Sequence, residues 1–181
     1  MPEYTAEEAR TRKTFLALMN ALSFPGRIQR LPADGRAAYI AIADTLLDLE
    51  TSFYTPSDWL AVELAATGAR PLAPARAAYH FYPHALLLDQ IRQANPGTLM
   101  YPDAGATLIV AAALNNDDTI YLSGPGIPTE MLVRIGGIEA GFWTLREKVS
   151  RYPLGWDIFL VDNDQVMGLP RTTQMRFENA G

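Results

Sequence analysis

The residues best suited to chemistry stand near the end of the chain, in Leu169-Pro170-Arg171-Thr172-Thr173. A planar guanidinium beside two hydroxyls has the donors to grip a phosphate or phosphonate through several charge-assisted bonds. The same residues also fit a chain corner in which Arg171 pairs with Asp157 and no ligand is involved, and the sequence favours that structural reading. Ser123-Gly124-Pro125-Gly126-Ile127 is a second candidate, a glycine-bearing turn whose backbone amides could approach an anion. Pro125 and Pro128 supply no N–H, however, and neither a Gly-Lys-Ser nor a third fingerprint glycine follows, so Gly124 and Gly126 read first as a structural turn. Arg27, just after Pro25-Gly26, carries the same ambiguity and reads first as a solvated charge at a strand end.

Other constellations are weaker. His80 and His84 stand four apart, a spacing that puts two imidazoles on one helix face in metal sites, but Pro83 interrupts that helix and no third ligand lies nearby. They are expected to be ordinary packed or solvated histidines, and no metal is expected. Asp162-Asn163-Asp164 resembles the start of a calcium loop, yet Met167 stands where that loop needs glycine and Thr173 where it needs a bidentate Glu. A hairpin turn is the better reading. No nucleophile with its base and no paired acid and base can be assembled, so no catalytic residue is assigned.

Composition narrows the classes further. The chain has 181 residues, 49% of them hydrophobic, which is enough for one substantial core and favours a single domain spanning 1–181. Fifteen Lys and Arg against twenty Asp and Glu leave a net charge of -5 with no basic stripe, so nucleic acid is an unexpected partner. The absence of cysteine excludes disulfides, thiolate nucleophiles and Cys-ligated iron-sulfur clusters, and fits a reducing compartment. The acidic opening Glu3-Tyr4-Thr5-Ala6-Glu7-Glu8 lacks the order of a signal peptide, and the apolar run from Ala104 to Leu114 is short of the roughly 18 residues of a membrane span. A cytoplasmic protein without a membrane partner is expected.

The elements that must position these residues follow from periodicity. Thr5 and Glu8 form a capping box, and Phe15, Leu18, Met19 and Leu22 repeat at helical spacing up to Pro25-Gly26. A strand at Arg27–Leu31, a helix at Ala37–Leu49, a strand at Ser52–Thr55 and a helix from Ser57 or Asp58 to Thr67 come next. Residues Gly68–Arg76 read as a loop, Ala77–Tyr82 as a strand, and His84–Ala94 as a helix stopped by Asn95-Pro96-Gly97. Thr107–Leu114 and Thr119–Leu122 are expected to form a hairpin about the turn-forming Asn115-Asn116-Asp117-Asp118. Ile138, Phe142, Leu145 and Val149 mark a helix, Trp156–Val161 and Gln165–Leu169 a second hairpin, and Thr173–Phe177 a last strand. Alternating helices and strands favour parallel pairs and the hairpins antiparallel ones, so an α/β sandwich with a mixed sheet is expected.

Several of these segments, taken in order, resemble the H subunit of carbon-phosphorus lyase, the PhnH family. They are Phe15–Gly26 with its Asn20-Ala21-Leu22-Ser23-Phe24-Pro25-Gly26 ending, Ala104-Gly105-Ala106-Thr107-Leu108, and Leu122–Ile127. The most specific are Tyr152-Pro153-Leu154-Gly155-Trp156-Asp157 and Leu169–Thr173. The resemblance implies a three-layer α/β sandwich similar in topology to pyridoxal-phosphate (PLP)-dependent transferases but without the cofactor. Lys13 and Lys148, the only lysines, both lie in charged helical segments and do not suit a Schiff base. It further implies a non-catalytic subunit of a core complex with G, I and J subunits, chiefly J, and a homodimer when isolated. That complex replaces the adenine of ATP with a phosphonate, and the J subunit then breaks the carbon-phosphorus bond by iron-sulfur radical chemistry. A chain without cysteine cannot ligate such a cluster through thiolates. The competing reading is a stand-alone binding protein or transferase for a phosphorylated small molecule, with Arg171, Thr172 and Thr173 as its anion site.

Overall fold

The structure is a computed structural model, and it describes residues 5–84 and 88–177. Its elements, in chain order, begin with α1 (Ala6–Ser23), β1 (Gln29–Arg30), α2 (Gly35–Leu46), β2 (Ser52–Tyr54), α3 (Asp58–Ala66), β3 (Arg70–Pro71), β4 (Tyr79–Tyr82) and α4 (Leu88–Ile91). They continue with β5 (Thr107–Ala111), β6 (Ala113–Ser123), β7 (Met131–Gly136), α5 (Ala140–Val149), β8 (Asp157–Asp162), β9 (Gln165–Leu169) and β10 (Gln174–Phe177). The capping box is formed: the Thr5 hydroxyl accepts from the Glu8 amide, and the Glu8 carboxylate accepts from the Thr5 amide at 2.8 Å.

Seven strands form a mixed sheet in the order β1-β9-β8-β5-β4-β2-β3. The pairs from β8 through β5, β4 and β2 to β3 are parallel, while β8 with β9 and β9 with β1 are antiparallel. Side chains alternate between its two faces as strand geometry requires. Phe81, Ile109, Phe159, Val161 and Val166 meet Ala17, Leu18, Ala21, Ile42, Leu60 and Leu64 of helices α1, α2 and α3. Tyr82, Leu108, Val110, Ile158, Leu160, Met167 and Leu169 face the other way, toward Ile120, Leu122, Val133 and Ile135 and toward Phe142 and Trp143 of α5. That second cover is a three-stranded antiparallel sheet, β10-β6-β7, together with α5. Helix α1 reaches the sheet where Gly168 removes a side chain: a Cβ there would lie 2.4 Å from the carbonyl oxygen of Ala21.

Two expectations need correction. Thr107–Leu114 and Thr119–Leu122 do not form a hairpin. β5 lies between β4 and β8 in the large sheet, the chain changes sheets at Ala112, and β6 runs on through Ser123 to pair with β7. The turn-forming residues at 115–118 are absorbed as an irregularity, since Leu114 and Asp118 both register with Ile135 and Asn115 takes a φ of 63°. The stretch Gly68–Arg76 contains the short strand β3, which sits at the sheet edge where Pro71 is tolerated. Boundaries shift as well. α2 spans Gly35–Leu46 rather than Ala37–Leu49, and the helix expected at His84–Ala94 is Leu88–Ile91 among the described residues, since His84 and 92–94 are not helical and 85–87 lie outside the described residues. The hairpin of β8 with β9 and the closing strand β10 are as expected.

Candidate functional site

The antiparallel turn between β8 and β9 determines where Arg171 goes. Ile158 registers with Leu169, so the chain leaving β9 through Pro170 returns beside Asp157, the first residue of β8. The Arg171 backbone amide donates to Asp157 Oδ1 at 2.9 Å. Its guanidinium donates from Nε to Oδ2 at 3.2 Å and from Nη2 to Oδ2 at 2.6 Å, while Nη1 donates to the carbonyl of Pro102. Every guanidinium nitrogen is therefore engaged within the protein, and both side chains are largely shielded, at 16% and 25% exposure. This is the geometry of the corner reading of Arg171, with three of the five guanidinium N–H donors used within the protein. A Cβ on Gly105 would lie 2.9 Å from Arg171 Nη1 and 2.7 Å from the Gly155 carbonyl, so glycine there lets the loop before β5 close over the arginine.

The corner is braced by its neighbours. Trp156 is buried with its indole N–H donating to the Ala94 carbonyl at 3.2 Å, and the Gly155 amide donates to Pro96 at 2.9 Å. Thus the Asn95-Pro96-Gly97 stop and the Tyr152–Asp157 segment hold each other. Gly124 also joins this region, since a Cβ on it would lie 2.9 Å from the Thr172 carbonyl. Gly126 does not: it packs on the end of α1, 2.6 Å from the Ser23 carbonyl by the same measure. Arg27 lies there too, its guanidinium 5.4 Å from the Phe24 ring centre.

Beside the corner opens a cavity of about 290 Å³, lined among others by Trp143, Arg146, Ser150, Arg171, Thr172 and Thr173. Arg146 is the residue that the sequence reading missed. It is 3% exposed and donates from Nη2 to the carbonyls of Pro170 at 2.9 Å and Thr173 at 3.2 Å, clamping the turn that carries Arg171. Among the described residues no carboxylate forms an ion pair with it; burial pulls its pKa down to about 10, with Asp157 opposing that shift, so it remains a cation at neutral pH. A signal was present, because Arg146 is four residues after Phe142 and so falls on the apolar stripe of α5, where a charge is out of place.

The cavity lies at the amino ends of the parallel strands β5 and β8, where Thr107 registers with Asp157. Open α/β sheets usually place ligands at the opposite, carboxyl end. There a separate cavity is lined by Arg36, Tyr39, Asp162 and Asn163, among others. The histidines belong to neither. His80 is fully buried and shares a 3.1 Å hydrogen bond with the Tyr82 hydroxyl, and His84 Nε2 accepts from the Trp59 indole at 3.4 Å. Asp162 accepts from the Leu114 amide at 2.9 Å and from the Asn163 side chain at 3.0 Å, in the turn of the β8–β9 hairpin. No group of three or more potential metal ligands occurs among the described residues, and none of their helices is long and apolar enough to cross a membrane.

A mixed sheet with an Asp-Arg corner and a donor-rich cavity defines the architecture, and comparison with known proteins gives its family. Residues 2–176 match the model of the bacterial phosphonate metabolism protein family, PhnH. The chain belongs to that family. It is 31% identical over 178 residues to a protein of Stutzerimonas stutzeri named "Putative C-P lyase subunit protein HtxG", with 94% of this chain and 88% of that protein covered. It is 28% identical to the alpha-D-ribose 1-methylphosphonate 5-triphosphate synthase subunit PhnH of Rhizobium meliloti (strain 1021), with 92% and 90% covered.

Proposed function

We propose that this chain is a non-catalytic subunit of the carbon-phosphorus lyase core complex, acting in the cytoplasm beside G, I and J subunits and chiefly against J. In this role it is needed when the phosphonate oxygen forms its bond to the ribose C1 of ATP and the bond to adenine breaks, a transferase step that yields ribose 1-phosphonate 5-triphosphate and adenine. The isolated chain forms a homodimer, and its fold follows the three-layer topology of PLP-dependent transferases without using PLP. The observation that carries this reading is the family match from residue 2 to 176, joined to a relative named as a subunit of the corresponding synthase.

Two features of the structure support it. Arg171, the best anion ligand in the sequence, is committed to Asp157 and Pro102, which favours a structural role for the motif over a stand-alone phosphate-binding enzyme. Large apolar side chains also stand in solvent near that corner, including Met100 at 83% and Tyr152 at 80% exposure, as a chain with partners would present. Co-expression of the four subunits followed by native mass spectrometry tests the reading. The expected result is a complex that contains this chain and J, with a dimer when the chain is alone. A monomer that stays apart from the other three would contradict it.

A further inference from the structure

The cavity at the carboxyl ends of β5 and β8 has a volume of about 260 Å³, and the first turn of α2 opens onto it through Gly35 and Arg36. This is the end where open α/β sheets bind ligands. The N-cap Asp34 makes no side-chain hydrogen bond, so the amides of Gly35, Arg36 and Ala37 have no partner among the described residues; the Ala38 amide is the first to be bonded, to the Asp34 carbonyl at 3.2 Å. One helical turn on, Tyr39 is 6% exposed and packed into the core beneath the helices, yet its hydroxyl has no hydrogen-bond partner either. That hydroxyl is not among the fully sealed polar atoms, such as His80 Nε2, so the cavity that Tyr39 lines is its outlet. Burial first, and then the charge of Asp162, raise the Tyr39 pKa above its ordinary value, so the phenol keeps its proton at neutral pH and can donate it in a hydrogen bond. Asp162 accepts from the Leu114 amide at 2.9 Å and from the Asn163 side chain at 3.0 Å, which leaves about two of a carboxylate's roughly four lone-pair sites unused.

Charge selects what fits. Arg36 is the one cation in the lining and Asp162 the one anion, so the walls carry no net charge to hold a phosphate, a carboxylate or an ammonium. They offer donors from α2 and an acceptor from β8. A sugar hydroxyl both donates and accepts, and is neutral. We infer that this cavity binds a neutral sugar ring through two adjacent hydroxyls, which donate to Asp162 and accept from the Tyr39 hydroxyl and the first amides of α2. A carboxylate near the carboxyl end of a strand grips ribose hydroxyls in the same way in dinucleotide-binding sheets. The small side chains of Ala111 and Ala112 leave room between the two walls, and a volume at the low end of ligand pockets suits a single ring. Arg36 stands exposed beside the site, its guanidinium 4.8 Å from the Trp59 ring centre. The inference goes beyond the assembly role and concerns the chain alone.

The test is an amide NMR titration of the isotope-labelled full chain with methyl β-D-ribofuranoside, its 2-deoxy analogue, adenosine and inorganic phosphate. Sugars at high concentration stabilise folded proteins without binding, so amide shifts are a better readout than Tm. The riboside should give saturable shifts confined to the amides of Gly35–Ala38, Ala112 and Asn163. The 2-deoxy analogue, which lacks the adjacent pair, should bind about tenfold more weakly. Tighter binding of adenosine than of the riboside would identify the ring as part of a nucleoside, and equal binding would identify a simple glycoside. Tyr39→Phe is the informative variant. It removes a hydroxyl that has no partner in the empty site, so it should fold with an unchanged Tm while weakening riboside binding about five- to tenfold. Asp162→Asn keeps an acceptor for the Leu114 amide and should also weaken binding. Shifts that do not saturate, equal riboside binding by Tyr39→Phe, or tighter binding of phosphate than of the riboside at these amides would overturn the proposal.

Discussion

Arg171 and His80 are polar groups held by the fold in opposite ways, and each predicts its own signature. Removing the Arg171 side chain leaves Asp157 largely shielded with only a backbone amide as partner, so Arg171→Ala should lower stability by about 2–4 kcal/mol in urea unfolding. Arg171→Lys should recover only part of this, because an ammonium cannot reproduce the fork to Asp157 and the reach to Pro102. His80 is the reverse case, a side chain kept neutral. Burial pushes its pKa down from 6.5 to about 4, partly opposed by hydrogen bonds with the backbone of Ala77 and Pro74. The unfolded chain thus binds a proton before the folded one does, so stability is complete above about pH 6.5 and is lost as pH falls toward 4. Unfolding free energy should be about 2 kcal/mol lower at pH 5 than at pH 7 from this group alone. His80→Gln should remove that part of the slope, and an unchanged slope in the variant would show that His80 does not carry it.

At the scale of elements, the contact of α1 with the sheet depends on a missing side chain. A Cβ at position 168 would lie 2.4 Å from Ala21 O and 2.5 Å from Ala21 C, both backbone atoms of the helix. Gly168→Ala should therefore move α1 outward, at a cost of about 1–3 kcal/mol, and hydrogen exchange should quicken along Ala17–Ala21 before it does in β5 or β8. Much of this layer was legible from residue order. The Thr5–Glu8 box, the helix stripes and the Asp162–Asp164 hairpin are local signals, and local chemistry decides them. The exchange of partners after β5 was not, because Asn115–Asp118 favour a turn wherever they stand, and only the sheet pairing shows that β7 takes up the long strand. Strand β7 carried a weak signal in the alternation of buried Val133 and Ile135 with exposed Leu132 and Arg134. The Arg171–Asp157 pair was readable because both residues sit in short, specific motifs. The cavity was not, since it is assembled from α5 and the β9–β10 connection, which are distant in sequence.

For the whole molecule, the antiparallel sheet and α5 cover one face of the mixed sheet, the three helices cover the other, and the Asp157–Arg171 corner ties strands, loop and cavity together. Membership of the PhnH family and the name of the Rhizobium relative direct attention to an assembly rather than to chemistry by this chain alone. The central claim is that the chain contributes to that assembly without catalysing either step. It is tested most directly by following adenine release from ATP and methylphosphonate with purified subunits, in the presence and absence of this one. The account predicts no release by the chain alone, none by the G, I and J subunits without it, and full turnover when it is restored. Adenine release by the isolated chain, or undiminished turnover by a complex that lacks it, would contradict the account.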